Sequence, residues 1–155
     1  MKVAFYIEKK ELDWSYGRLF QNWAESLSFD IISRISDLKN DYHFIISDDI
    51  LSIKISSIMP ELTSTIVPYV QTLFGLNMLR SGKKGIKRRL GSFLPLYITS
   101  KRYKEAMKSF NIILSNSLGT SSLLHHLYNI SANYIVYPGV DSKKFKPVSR
   151  KKIKF

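Results

Sequence analysis

Residues 111–139 read NIILSNSLGTSSLLHHLYNISANYIVYPG, and this stretch decides the fold. Asn111 to Ser115 is a short, continuously apolar run of the kind found in a strand buried on both faces. From about Gly119 to Tyr128 the spacing predicts a helix with Leu123, Leu124 and Leu127 on one face. Asn133 to Tyr137 is a second apolar run, closed by Pro138-Gly139. A strand, a helix and a strand in one such run form a βαβ unit, whose two strands pair in parallel.

The same alternation extends back to the N-terminus. Lys2 to Ile7 reads as a strand of β-branched and aromatic residues. After a polar loop, Glu8 to Asp13, Ser15 can cap a helix with apolar positions at Leu19, Phe20, Trp23, Ala24 and Leu27. Asp30 to Ile35 and Tyr42 to Ser47 are further strands, and Asp48 or Asp49 caps a short helix through Ile58 that Pro60 ends. Thr65 to Leu73 is a fourth strand. Its Pro68 is expected at the strand start, because proline cannot donate to a ladder. Residues 77–92 are the least regular part, and a helix is expected from Phe93 to Phe110. The fold class is therefore α/β: a Rossmann-like parallel sheet of about six strands with helices on both faces. Ligands of such sheets bind beyond the strand C-terminal ends, at the topological switch point. That directs attention to the segments after Ile7, Leu73, Ser115 and Tyr137.

A chain of 155 residues that is 45% hydrophobic makes one domain with a real core. It has no cysteine, which excludes disulfides and thiolate metal sites and suits a reducing cytoplasm. The apolar start, Met1 to Ile7, is too short for a signal peptide, and no run approaches the roughly 20 apolar residues that span a bilayer. A cytoplasmic protein, peripheral on a membrane at most, is expected. Charge is distributed unevenly. Residues 1–79 hold 7 Lys/Arg against 10 Asp/Glu, a net of −3, and residues 80–155 hold 17 against 2, a net of +15. Such a one-sided field attracts polyanions: anionic lipid, nucleic acid or a phosphorylated substrate. Lys83, Lys84, Lys87, Arg88 and Arg89 stand directly before the apolar stretch Phe93 to Ile98, so residues 83–104 are expected to dock on an anionic membrane surface.

The nucleotide-binding fingerprints are missing, both the Walker A sequence and G-x-G-x-x-G, and so is the G-x-S-x-G elbow. His125 and His126 are helix neighbours pointing about 100° apart, which is no chelating pair, so no metal site is expected. Asp48-Asp49 is read as a cap rather than as metal ligands. No catalytic residue is assigned.

One segment is more specific. Ser115 closes the fifth strand; the sixth is followed by Pro138-Gly139-Val140-Asp141 and then Lys144-Phe145-Lys146-Pro147. Gly139 is expected to take a backbone conformation closed to other residues, and Asp141 to hold the turn. This ending resembles the close of the N-terminal domain in GT-B glycosyltransferases, in the large retaining family that includes sucrose synthase and bacterial phosphatidylinositol mannosyltransferases. Gly139, Val140, Asp141, Phe145 and Pro147 match the family pattern position by position, over residues 111–147. The resemblance implies that residues 1–147 are the acceptor-side domain, with Gly139 and Asp141 at an interdomain hinge. Residues 148–155 then begin a linker or an absent C-terminal domain. It implies a sugar or lipid-linked acceptor. It also implies a nucleotide-sugar donor bound mainly by that other domain, whether of the same gene or a separate chain, with no cofactor in this one.

Together with the switch-point rule, the resemblance draws an acceptor cleft lined by Tyr16, Gly17, Gln71, Thr72, Ser115 and Asn116. The chain departs from the family in two places. Only Tyr16-Gly17 stands for the glycine pair after the first strand, and Gln71-Thr72 stands where a histidine often follows the fourth. A different reading is a basic α/β module that binds nucleic acid. The basic residues are not interleaved with aromatics, however, and no helix-turn-helix is evident. A receiver-like or flavodoxin-like regulator lacks its acidic pocket or phosphate loop after the first strand.

Overall fold

The computed structural model describes residues 1–13, 15–71 and 93–139, with backbone only for 15, 16 and 93–99. The elements are β1 (Val3–Tyr6), α1 (Ser15–Leu27), β2 (Asp30–Ile32), β3 (Phe44–Asp48), α2 (Asp49–Ile58), β4 (Ile66–Val70), α3 (Phe93–Met107), β5 (Leu114–Ser115), α4 (Leu118–Tyr128) and β6 (Tyr134–Ile135). All pairings are parallel, in the order β2-β1-β3-β4-β5-β6. The protein is thus an α/β domain with a six-stranded Rossmann-like sheet flanked by helices. The chain leaves β1 toward β2 and leaves β3 toward β4, so the switch point lies between β1 and β3.

The period of two along each strand separates the two faces. On one face Phe5, Ile7 and Tyr69 meet Phe20 and Ala24 of α1. On the other, Ala4, Tyr6, Ile45, Ile66 and Val70 meet Leu51 and Ile55 of α2, Tyr103 and Met107 of α3, and Leu124 and Tyr128 of α4. Phe5 stacks on Phe20 with ring centroids 4.9 Å apart, and Trp23 meets Tyr69 edge-on at 5.4 Å. Capping follows residue chemistry. Asp48 Oδ1 accepts from the amides of Ile50 and Leu51, both at 2.9 Å, and Asn129 ends α4 in the left-handed region at φ 53°.

Three expectations need correction. Pro68 is not at a strand start but is the third residue of the central strand β4, opposite Ser47 of β3. Alternate residues of a parallel ladder address the same neighbour, and the Val70 carbonyl accepts from the Asn116 amide on the β5 side. The Pro68 nitrogen therefore faces β5 too. Pairing with β5 begins only at Tyr69, so the missing N–H falls below the first rung. Second, Leu123, Leu124 and Leu127 do not share a buried face. Leu124 is fully buried, whereas Leu123 and Leu127 are 43% and 50% exposed. Third, β6 is an edge strand with Tyr134 and Ile135 exposed, not a strand buried on both faces.

Asp49, beside the cap, is buried and accepts a hydrogen bond from the Tyr103 hydroxyl at 2.6 Å, which ties α2 to α3. Burial pushes its carboxyl up to about 7. The nearby Asp48 charge adds to the rise, and the Tyr103 hydrogen bond opposes it. A carboxyl whose pKa is raised on folding binds its proton more tightly in the folded state. Its contribution is whole below the unfolded value near 3.8, is lost as pH rises toward 7, and levels off above that. Asp49→Asn removes this titration. We predict that urea unfolding of the variant and the native chain, compared from pH 4 to 8, shows the difference moving in favour of Asn by about 2–4 kcal/mol. A difference that stays constant with pH would refute the assignment.

Candidate functional site

The C-terminal ends of the strands carry two groups of polar side chains. The first follows β4 and β5. Ser117 caps α4, its Oγ accepting from the Thr120 amide at 3.1 Å. The same Oγ donates to the Thr120 hydroxyl at 3.0 Å, which in turn donates to Asn116 Oδ1 at 2.7 Å. The Gln71 carbonyl lies 3.5 Å from that Thr120 hydroxyl. The Asn116 amide donates to the Val70 carbonyl at 3.0 Å and the Ser115 hydroxyl to the Ser117 carbonyl at 3.1 Å. The result is an uncharged hydrogen-bonding rim in which each hydroxyl donates a hydrogen bond to the next acceptor. Gln71 Nε2 is buried and has no hydrogen-bond partner among the described residues.

The second group follows β1, at the switch point. Glu8 pairs with Lys10 at 2.8 Å and with Lys54 of α2. The two ammonium groups, Lys10 first, hold its carboxyl below the ordinary carboxylate value. The chain then turns through Lys9–Glu11 and crosses the first turn of α1 at Gly17. A Cβ on Gly17 would sit 2.2 Å from the Glu11 carbonyl oxygen and 2.8 Å from that of Leu12. Glu11 Oε2 is buried and has no hydrogen-bond partner among the described residues. Burial pushes the nearby Tyr6 hydroxyl up to about 12, and the charges of Glu8 and Glu11 add to this.

Of the residues expected to line a cleft, Gln71, Ser115 and Asn116 are brought together at one edge. Ser115 is fully buried with its hydroxyl spent on the turn, so it shapes the rim from beneath. Gly17 serves close packing on α1, and of Tyr16 the structure gives the helical backbone alone. Thr72, Asp141 and the basic run Lys83, Lys84, Lys87, Arg88 and Arg89 lie outside the described residues. Gly139 corrects another expectation. Its backbone is not in the left-handed region and a Cβ there would meet nothing within 4 Å, so no local constraint demands glycine. His125 Nδ1 lies 3.3 Å from Ser131 Oγ, on the last turns of α4 and away from this edge. Among the described residues no cluster of three potential metal ligands forms, and no helix is long and apolar enough to cross a membrane.

Glu11 and Thr120 were not singled out from sequence. Ser117-x-x-Thr120 carries the spacing of a cap, which was the available signal for Thr120. Glu11 is one charge in a polar loop, and nothing local marks its burial. Comparison with models of known families, with curated proteins and with solved structures finds no match.

The Gly17 contact is with backbone, which cannot swing aside. Gly17→Ala is predicted to destabilise the fold by about 1–3 kcal/mol in urea unfolding, despite alanine's better helix propensity. An unchanged or raised midpoint would show that the loop does not press on α1.

Proposed function

We propose that the chain is the acceptor-binding domain of a nucleotide-sugar-dependent glycosyltransferase of the GT-B type. The observation that carries this reading is the pair of buried, unpartnered polar atoms at the C-terminal edge of the sheet, Glu11 Oε2 and Gln71 Nε2. A buried polar group without a partner costs roughly 1–3 kcal/mol, and more when charged, so proteins keep few of them. One of these atoms accepts and the other donates. Sugar hydroxyls do both, and the rim of Asn116, Ser117 and Thr120 at the end of β5 is neutral and hydroxyl-rich. The position at the strand C-terminal ends and the Gly139–Pro147 resemblance support the same reading.

On this reading the nucleotide-sugar donor is held chiefly by a second domain, and these residues position the acceptor. They orient its hydroxyl and keep water from that edge; none of them is assigned a proton transfer. Where the acceptor is lipid-linked, the domain works at the membrane surface as a peripheral protein.

The test is a titration of the 155-residue chain with methyl glycosides of gluco, galacto and manno configuration, followed by saturation-transfer NMR. At least one is predicted to bind, and Glu11→Gln and Gln71→Ala each to weaken it about tenfold, or 1.4 kcal/mol. Both variants should be as stable as the native chain or more so, because a group kept for a ligand is a burden to the free fold. No glycoside binding, or binding indifferent to both substitutions, would overturn the proposal.

A further inference from the structure

The sheet ends at β6, and this margin differs in composition from the rest of the chain. Residues 109–139 contain no Asp, Glu, Lys or Arg, in a chain that is 23% charged and carries a net +12. They supply β5, α4 and β6. β6 pairs with β5 on one side, and among the described residues nothing pairs with it on the other. The Val136 amide donates to the Ser115 carbonyl at 2.8 Å, so Ile135, its neighbour in sequence, turns its amide and carbonyl to the open side. The side chains there are apolar. Tyr134 and Tyr137 are each 63% exposed, and Ile135 is 37% exposed. Leu118, also exposed, shares a side of α4 with His125, two turns on. His125 Nδ1 lies 3.3 Å from Ser131 Oγ, in the loop that enters β6, so that side of the helix borders the same margin.

The opposite edge is built differently. β2 carries the exposed Asp30, whose carboxylate accepts from the Tyr42 hydroxyl at 2.8 Å, and Arg34 follows two residues past its end. Charge on an edge strand discourages pairing with another chain. β6 has no such charge, and Pro138 stands beyond its end. We infer that the β6 edge is a self-association surface, where two copies of this chain pair antiparallel about a two-fold axis at Ile135. Charge selects a second copy as the occupant. Copies carrying a net +12 repel across their basic surfaces, and the β6 margin lets them meet with no charge against charge. Depletion of charge is also what marks the core of protein interfaces. An anionic partner, by contrast, finds no Lys or Arg on this margin to pair with. Register is met by symmetry: centred on Ile135, the amide and carbonyl exchange hydrogen bonds with the same two groups of the other copy. Ile135 and Tyr137 are then covered on one face of the joined sheet and Tyr134 on the other. The inference needs no part of the acceptor reading, and its test contains no sugar.

The experiment is sedimentation equilibrium of the full 155-residue chain, from micromolar to millimolar protein, at low and at high salt. The native chain should pass from monomer to dimer as concentration rises. Salt should leave the dimer intact or strengthen it, because screening weakens the repulsion between the two basic copies. Ile135→Lys sets two like charges against each other at the axis and should raise the dissociation constant about a hundredfold. Tyr137→Lys, at a more exposed side chain, should raise it about tenfold and serves where the first variant fails to fold. A urea midpoint measured at a monomeric concentration checks that each variant folds. Ile31→Lys, on the exposed face of the opposite edge strand, should leave the dimer unchanged. Hydrogen exchange should show the Ile135 amide gaining protection as the dimer forms. A chain that stays monomeric throughout overturns the inference. So does a dimer that salt dissociates, that neither β6 variant weakens, or that Ile31→Lys alone disrupts. Protection of the Ile135 amide already in the monomer overturns it as well, since the chain would then cover its own edge.

Discussion

The placement of α1 rests on an aromatic seat. Phe5 stacks on Phe20, and Trp23 meets Tyr69 edge-on, so the helix grips both β1 and β4 across the strand between them. Rings of this size bury 150–250 Å² each and prefer offset or edge-on contact, which fixes rotation as well as distance. With β1 and the start of α1 both held, the loop joining them has little choice of course. It crosses the helix where Gly17 offers no side chain and carries Glu11 into a buried position. The geometry at the switch point thus derives from the packing of α1 on the sheet.

Three acidic side chains near that edge meet three different environments. Glu8 is neutralised by Lys10 and Lys54 and is comfortable as a carboxylate. Asp49, under α3, takes hydrogen bonds from the Tyr103 hydroxyl and from backbone N–H groups, but burial outweighs them and pushes its pKa up. Glu11 keeps one oxygen buried and unanswered. The first two are explained by the fold itself: one pins the β1 loop to α2, the other joins α2 to α3. The third has no such structural role among the described residues, and it is the one the acceptor proposal uses.

The strands and helices were legible because their signals are local. The apolar run of β1, the cap at Asp48 and the helix ending before Pro60 all depend on near neighbours in sequence. Pro68 misled because a rule about strand interiors ignores how far the adjacent strand extends; β5 is two residues long, and its brevity makes room for the proline. Leu123 and Leu127 misled because periodicity reports a stripe but not what covers it. The switch-point rule directed attention to the strand C-terminal ends, where Gln71 and Asn116 lie together through Thr120. Asp49 and Tyr103 are 54 positions apart, and Glu11 owes its burial to a helix crossing, so neither could be read from spacing.

The Tyr69 hydroxyl donates to the Val136 carbonyl at 2.9 Å, reaching past β5 to the segment that leaves β6. The last two strands have only two residues each, so their ladders alone give little resistance to local opening. A bond from the central aromatic cluster to the outermost segment makes the right-hand margin share in the cooperativity of the centre. Amides near Val136 should then exchange with solvent on the timescale of sub-global opening rather than of edge fraying. The rim at Asn116 lies inside the same strap, so its preorganisation is underwritten by a tyrosine of the adjacent strand.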